Sequence, residues 1–471
     1  MAIAWFRRDL RLHDNPALAA ALGAAAPVGQ VVPLFVRDPA ILASGRVGRH
    51  RAGRLDAAIA ALDLELRARG GRLVVRTGRP AEVLPALARE TGAQEVHASR
   101  DCTPYARRRD GAVAAALGPG VLLRLHAGTL LVEPEALGER RVFTPFHRAW
   151  LEVLGSWPGF GPLRAPERIA VPASVASEPI PSIAPRGEAA ALDSLAAFAG
   201  RADRYARERD ALDGGVGSGL SADLHLGTIS PRRVLEAVSE PSFVRQLAWR
   251  DWAAHRAWFA PESLGRAEPR GQFPVRGDVP ARAGEPAWGS VLAEVRESTH
   301  DREPAWGHEP ALLAAWVEGR TGYPAVDAAM RQLAETGWIS NRARMIAASF
   351  LVKDLLLDWR LGLDWFERTL VDADVASNAL NWRWVAGVGP DASPWFRIMN
   401  PVLQGERFDP HGAWVRRWVP ELRDVPDAFA HRPWDAPAGA PRGYPSRIVD
   451  HAQARARALA AGRVRPARRG Q

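Results

Sequence analysis

Short apolar runs open this chain and return at intervals along its first quarter. MAIAWFRR at the start, VVPLFVRD (31–38), GRLVVRTG (71–78), AQEVHASRD (93–101) and GVLLRLHAG (120–128) each read as a strand. Between them, residues 50–69 and 80–91 place Ala, Leu and Arg at helical spacing. Strands alternating with helices predict a parallel sheet covered on both faces. Residues 1–130 are therefore expected to form an α/β domain with a parallel sheet.

The pattern then changes twice. Residues 131–190 are read as a long interdomain connection, because 155–190 is rich in Pro, Gly, Ala and Ser. Such a tract is expected to wrap over the surface. From 191 to 460 helical spacing dominates, as in PSFVRQLAWRDWAAHRAWF and YPAVDAAMRQLAETGW. Ser230-Pro231 has the form of an N-cap followed by proline at the first helical position. NRARMIAASFLVKDLLLDW is expected to be one deeply packed helix. This larger second domain is expected to be all-helical. Residues 461–471 form an Arg-rich tail, and the acid-free stretch 451–471 is expected to fray. No internal repeat is visible.

Composition narrows the chemistry. The single cysteine, Cys102, excludes a disulfide within the chain and a four-cysteine metal or iron–sulfur site. That pattern fits a reducing, cytoplasmic location. No metal site is expected. The N-terminus has the form of neither a signal peptide nor an anchor, and no apolar run is long enough to span a membrane. The net charge is +9, which points to an anionic partner such as nucleic acid. Arginine carries almost all of it, since Lys353 is the only lysine, so genomic base composition is an alternative source of the bias. The chain also holds 18 Trp against 4 Tyr, and ASNALNWRWVAGVGPDASPWF (376–396) contains three of those indoles. Buried indoles need a partner for their N–H, so the bias suits either an aromatic core or a cofactor pocket.

GGVGSG (214–219) has the glycine spacing of a dinucleotide turn, but the helical RYARERDALD precedes it where a strand is required. It suits a backbone nest for phosphate, with Ser218 and Ser221 as hydroxyl donors.

Six segments together carry a specific resemblance: WFRRDLRLHDNPAL, SADLHLGTISPRR, QLAWRDW, the stretch from EGRTGYPAVDAAM to FLVKDLLLDWR, DADVASNALNWRWVAGVGPDASPWFRIMNPVLQGERFDP, and VRRWVPELRDVP. The chain resembles the photolyase/cryptochrome family, and most of all its microbial cyclobutane pyrimidine dimer photolyases. The resemblance implies an N-terminal antenna domain and a helical domain that binds FAD, reduced for repair. It implies light-dependent repair of UV-damaged DNA; no membrane or protein partner is evident in the sequence, and a monomer is expected. A cryptochrome-type blue-light receptor with weak or absent repair is the alternative.

The resemblance assigns roles by position. Asn378 matches the amide facing flavin N5. Arg344 and Asp372 match an ion pair across the flavin ring, and Asp374 the acid at its polar edge. Asn341, on the helical face of Arg344, is expected near flavin or substrate. Tyr205, Ser218, Leu220 and Ser221 align with the segment lining the FAD phosphates, where one family hydroxyl is missing at Gly217. Trp382, Trp359 and Trp306 match an electron-transfer chain. Trp384 and Trp249 match indoles of the lesion cavity, with Met345 beside them. Arg250 would serve a lesion carbonyl or an internal carboxylate. Arg342, Arg397 and Arg407 are candidate phosphate contacts. Aromatic packing, helix caps and solvated arginines remain the alternatives at these positions.

The chain departs from the repair pattern at Gln246, where the family has Glu. Glu can pass a proton to a pyrimidine carbonyl; Gln can only donate a hydrogen bond. Ser340 stands where many members have His, Trp395 where Tyr is common and Met399 where Phe is common. Residues 260–304 diverge. The resemblance allows an antenna chromophore, a folate, a deazaflavin or a second flavin, with an empty antenna site as the alternative. Arg8, Asp101 and Arg109 are its candidates, with loop salt bridges as the alternative.

Overall fold

The computed structural model describes residues 1–26, 30–156, 163–264, 306–307, 309–389 and 391–463. Most of the divergent 260–304 tract and the end of the Arg-rich tail lie outside them. The chain divides into two compact units. The first is Met1–Arg209, Val216–Leu264 and Glu367–Ser377; the second is Asp210–Gly215, Gly265–Phe366 and Asn378–Gln471.

The first unit is built on a sheet of β1 (Ala2–Phe6), β2 (Val31–Arg37), β3 (Val74–Thr77), β4 (Glu95–Ser99) and β5 (Leu122–His126). The strands are all parallel, in the order β3-β2-β1-β4-β5, with Trp5 opposite Leu34 and Ala2 opposite Glu95. Successive side chains enter different cores, as the strand period of two demands. Ala2, Ala4 and Phe6 pack with α1 (Pro16–Ala24) and α2 (Arg49–Arg67). Ile3 and Trp5 pack with α3 (Pro80–Thr91) and α4 (Pro104–Leu117). Asn15 accepts from Leu18 N at 3.0 Å, and Pro16 occupies the first turn, which starts α1 after the long β1 loop.

Two expectations change here. The connection does not simply run over the surface. Ile169 and Val175 are buried in the two cores, one on each face of the sheet. Each such side chain contributes about 1.5–3 kcal/mol relative to exposure. Backbone bonds pin it as well, with Ile169 N donating to Arg69 O at 3.0 Å and Glu178 N to Val75 O at 2.9 Å. The unit continues through α5 (Phe143–Ser156), α6 (Glu188–Ala199), α7 (Ser221–Leu226) and α8 (Pro241–Phe259). The Ser230 hydroxyl accepts from Arg232 N at 3.1 Å, as the Ser-Pro signal predicts.

The second unit is helical, with α9 (Pro324–Thr336) and α10 (Asn341–Ser349) at its centre. The second change lies here. The expected single helix beyond Asn341 leaves α-geometry at Phe350–Asp354, a π-turn, and Leu356 takes φ 51°. A non-glycine residue in the left-handed region breaks the helix, so α11 (Trp359–Thr369) starts afresh. Then come α12 (Val375–Ala386), α13 (Pro401–Phe408) and α14 (His451–Arg463). The C-terminal stretch is thus helical to Arg463, and Trp395 Nε1 donates to Ala458 O at 2.6 Å. Among the described residues, the named strands all precede residue 127 and no helix is long and apolar enough to cross a membrane.

Candidate functional site

In the first unit, the chemistry gathers where β1 and β4 end. These strands are neighbours, yet the connections after them leave in opposite directions, which opens a crevice at their carboxyl ends. Arg8, just beyond β1, fills it. Its Nη2 donates to Asp374 Oδ2 at 2.6 Å and its Nε to His225 O at 3.1 Å, while Nη1 lies 3.7 Å from Asp101 Oδ2. Asp374 turns its other oxygen to Ser377 N at 2.8 Å, capping α12. Burial alone would raise the Asp374 carboxyl. The Arg8 charge, with His225 and the Ser377 N–H, instead holds it well below the usual carboxylate range. Burial likewise opposes ionisation of Asp101, and Arg8 overcomes it. A cavity of about 30 Å³ lies among Arg8, Asp101, Cys102, Arg250, Asp374 and Ala376. That volume takes about one water molecule.

Arg250 reaches inward. It donates to Leu224 O at 3.2 Å and lies 3.4 Å from Asp251. Of the alternatives for Arg250, its contacts are those of a partner to an internal carboxylate. Arg109 lies over Trp5 at 4.9 Å and pairs with Asp110 at 2.9 Å. On α8, Gln246 Nε2 donates to Ser242 O at 3.3 Å, within its own helix. Trp249 stacks on Phe143 at 3.9 Å, with 11° between the rings, and meets Trp252 edge-on at 5.1 Å. One indole face is therefore already covered. Nothing in the sequence pattern of Trp249 signals Phe143, which arrives from α5. Tyr205 packs edge-on against Phe198 and Phe243. Ahead of α7, Gly219 takes φ +68°, Ser218 Oγ accepts from Leu220 N at 3.3 Å, and Ser221 is exposed. Leu220 is buried.

In the second unit, α12 lies against α11. Asn378 Nδ2 donates to Leu363 O at 3.0 Å. Trp382 rests on Gly362, where any side chain would collide with its indole. Trp382 also meets Phe366 edge-on at 5.1 Å. Trp359 is fully buried one turn from Gly362, and its Nε1 has no hydrogen-bond partner among the described residues. Gly307 N donates to Leu356 O at 2.8 Å, which anchors Trp306 near the start of α11. Trp306 lies 6.1 Å from Trp395, and Lys353 Nζ sits 3.2 Å above the Trp395 ring.

Ser340 caps α10 by accepting from Ala343 N at 3.3 Å. Arg342 donates to Asp210 at 2.6 Å and to Gln404 at 3.3 Å, so an internal carboxylate already compensates it. Arg344 Nε donates to Ile339 O at 3.1 Å. Asn341 is exposed, 3.6 Å from the Met345 sulfur. Asp372 is buried in the first unit. A groove of about 530 Å³ brings together Arg342, Met345, Trp384, Arg397, Met399 and Leu403. Arg397 and Arg407 are exposed, and Arg407 lies over Phe408 at 5.0 Å. Among the described residues, no cluster of three His, Cys, Asp or Glu side chains is set to hold a metal ion.

Residues 2–167 match the family described as DNA photolyase, and residues 243–463 the FAD binding domain of DNA photolyase. The deoxyribodipyrimidine photo-lyase of Streptomyces griseus is 40% identical over 484 residues, covering 97% of this chain and 98% of that protein. A crystal structure of a bacterial class III photolyase from Agrobacterium tumefaciens is similar with a TM-score of 0.83 at 38% identity, covering 98% and 96% of the two chains. The Synechocystis cryptochrome superposes with a TM-score of 0.82 at 27% identity, covering 98% and 99%.

Proposed function

Because the chain belongs to the DNA photolyase family, we propose that it splits cyclobutane pyrimidine dimers in UV-damaged DNA with light, using bound reduced FAD. The observation that carries this reading is the full-length likeness to deoxyribodipyrimidine photo-lyases. Reduced FAD supplies the photoexcited electron that opens the dimer.

The donor set suits that group. Asn378 gives its Nδ2 to the Leu363 carbonyl, which fixes the amide orientation, because two carbonyl oxygens would repel. Its oxygen is left as an acceptor, matching a flavin N5 that carries hydrogen. Asp374 offers a fixed carboxylate for the ring edge, with Arg344 and Asp372 as the ion pair across it. Asn341, on the same helix as Arg344, is assigned to the flavin or the substrate by the family pattern. The Gly219 turn with Ser218 and Ser221 suits phosphate, and Tyr205 and Leu220 shape its walls. Trp382, Trp359 and Trp306 are the route by which electrons reach the flavin.

The groove of the second unit suits DNA. Trp384 and Met345 offer an apolar face for a flipped base, a role the family pattern also gives to Trp249. Arg397 and Arg407 are exposed for phosphate, with Arg342 behind them. Gln246 is the observation that favours the receptor reading, since an amide cannot pass a proton and one of its two N–H donors is engaged by its own helix. For the antenna chromophore, the 30 Å³ cavity beside Arg8 does not fit, because a ligand pocket needs about 300 Å³ or more. Two solution measurements test the reading. The reduced-FAD protein should bind a duplex with one thymine dimer well above an undamaged duplex, and oxidised FAD should photoreduce with an external donor. Equal binding of both duplexes, with photoreduction intact, would favour the receptor.

A further inference from the structure

The geometry points to Arg8 as a positioning residue that orients Asp374, compensates its charge and so raises the flavin's reduction potential. It rests on the reading above that Asp374 lies at the flavin's polar edge. Arg8 belongs to the β1 loop, 366 residues from Asp374, in the part of the chain expected to serve only as antenna. Its guanidinium is a three-way fork, meeting the Asp374 carboxylate, the His225 carbonyl and the Asp101 carboxylate. A planar fork makes these contacts together; an ammonium holds the charge without the geometry.

The backbone is arranged to bring Arg8 there. Gly227, at φ +69°, lets this loop come so close that a Cβ would lie 2.6 Å from Asp9 Cα and nearer still to the Arg8 carbonyl. Leu10 N donates to Leu226 O at 3.3 Å, and Arg11 Nη1 to Gly227 O at 3.1 Å. The contact is thus built from both sides. A bare carboxylate would oppose electron addition to a nearby flavin, and its arginine partner offsets that opposition. Asp101 draws on the same guanidinium, so it moderates the effect.

The test is the FAD reduction potential of the full chain at pH 8, where the carboxylates are ionised, with bound FAD verified from its spectrum. Arg8→Gln should lower the potential. Asp101→Asn, which leaves Arg8 less compensated, should raise it. Arg8→Lys should keep most of the native potential, whereas a merely structural role would be lost alike in Arg8→Lys and Arg8→Gln. Asp374→Asn separates the two levels of the argument. If it moves nothing, the flavin-edge reading fails. If it raises the potential while Arg8→Gln and Asp101→Asn leave it unchanged, the role given to Arg8 is overturned. Should Arg8→Gln not fold, Asp101→Asn decides alone, and an unchanged potential there counts against Arg8.

Discussion

Replacing Gly362 by alanine would test how Trp382 is seated. A Cβ at position 362 would lie 2.6 Å from both Cζ2 and Cζ3 of Trp382, and closer to Cη2. Ordinary carbon contacts begin near about 3.5 Å, so the indole or α12 must retreat by roughly 1 Å or more. The backbone cannot absorb this locally, because Asn378 ties α12 to the next residue of α11, Leu363. Overpacking of this kind costs about 1–3 kcal/mol. Urea unfolding should show that loss in the midpoint with an unchanged slope. Flavin photoreduction, followed by bleaching under blue light, should slow because Trp382 has moved, while repair by chemically prereduced protein persists. A Gly362→Ala protein with native stability and native photoreduction would refute the placement of Trp382 on α11.

Three further outcomes follow from the same geometry. Gln246→Glu should speed dimer splitting by up to about 4 kcal/mol of barrier, with lesion binding little changed, because a carboxyl can pass a proton where an amide cannot; single-turnover repair kinetics measure it. Trp359→Phe should abolish photoreduction and spare repair by prereduced protein, read by spectroscopy and dimer assay in turn. His255 is buried and accepts from Arg140 N at 2.9 Å, and burial together with Arg256 lowers its pKa to about 4. The unfolded chain takes up this proton near pH ~6.5, so the contribution is complete above that pH and is lost as pH falls toward 4, by at most about 3 kcal/mol. His255→Gln should flatten that part of the stability–pH curve, measured by urea titration.

The legible parts of this fold are those set by short-range pattern. Strands announce themselves as apolar runs, and the Asn15-Pro16 and Ser230-Pro231 caps lie within a few residues of the donors they satisfy. The candidate site residues were named from motif positions alone, such as Asn378 and the paired Trp382 and Trp384. What escaped depends on distant partners. The Arg8–Asp374 pair, the stacking of Phe143 on Trp249 and the burial of Ile169 and Val175 each join segments that carry no mutual signal. The π-turn at Phe350–Asp354 escaped for another reason. Its residues keep helical apolar spacing, while the backbone departs at Phe350–Asp354 and again at Leu356.

The central claim is light-driven dimer splitting, and a defined oligonucleotide with one thymine dimer tests it most directly. The protein is loaded with fully reduced FAD and illuminated with near-UV or blue light beside a dark control, and intact thymines are counted by chromatography. The account predicts their appearance in the light alone. No repair in the light, with FAD bound and photoreducible, would contradict it.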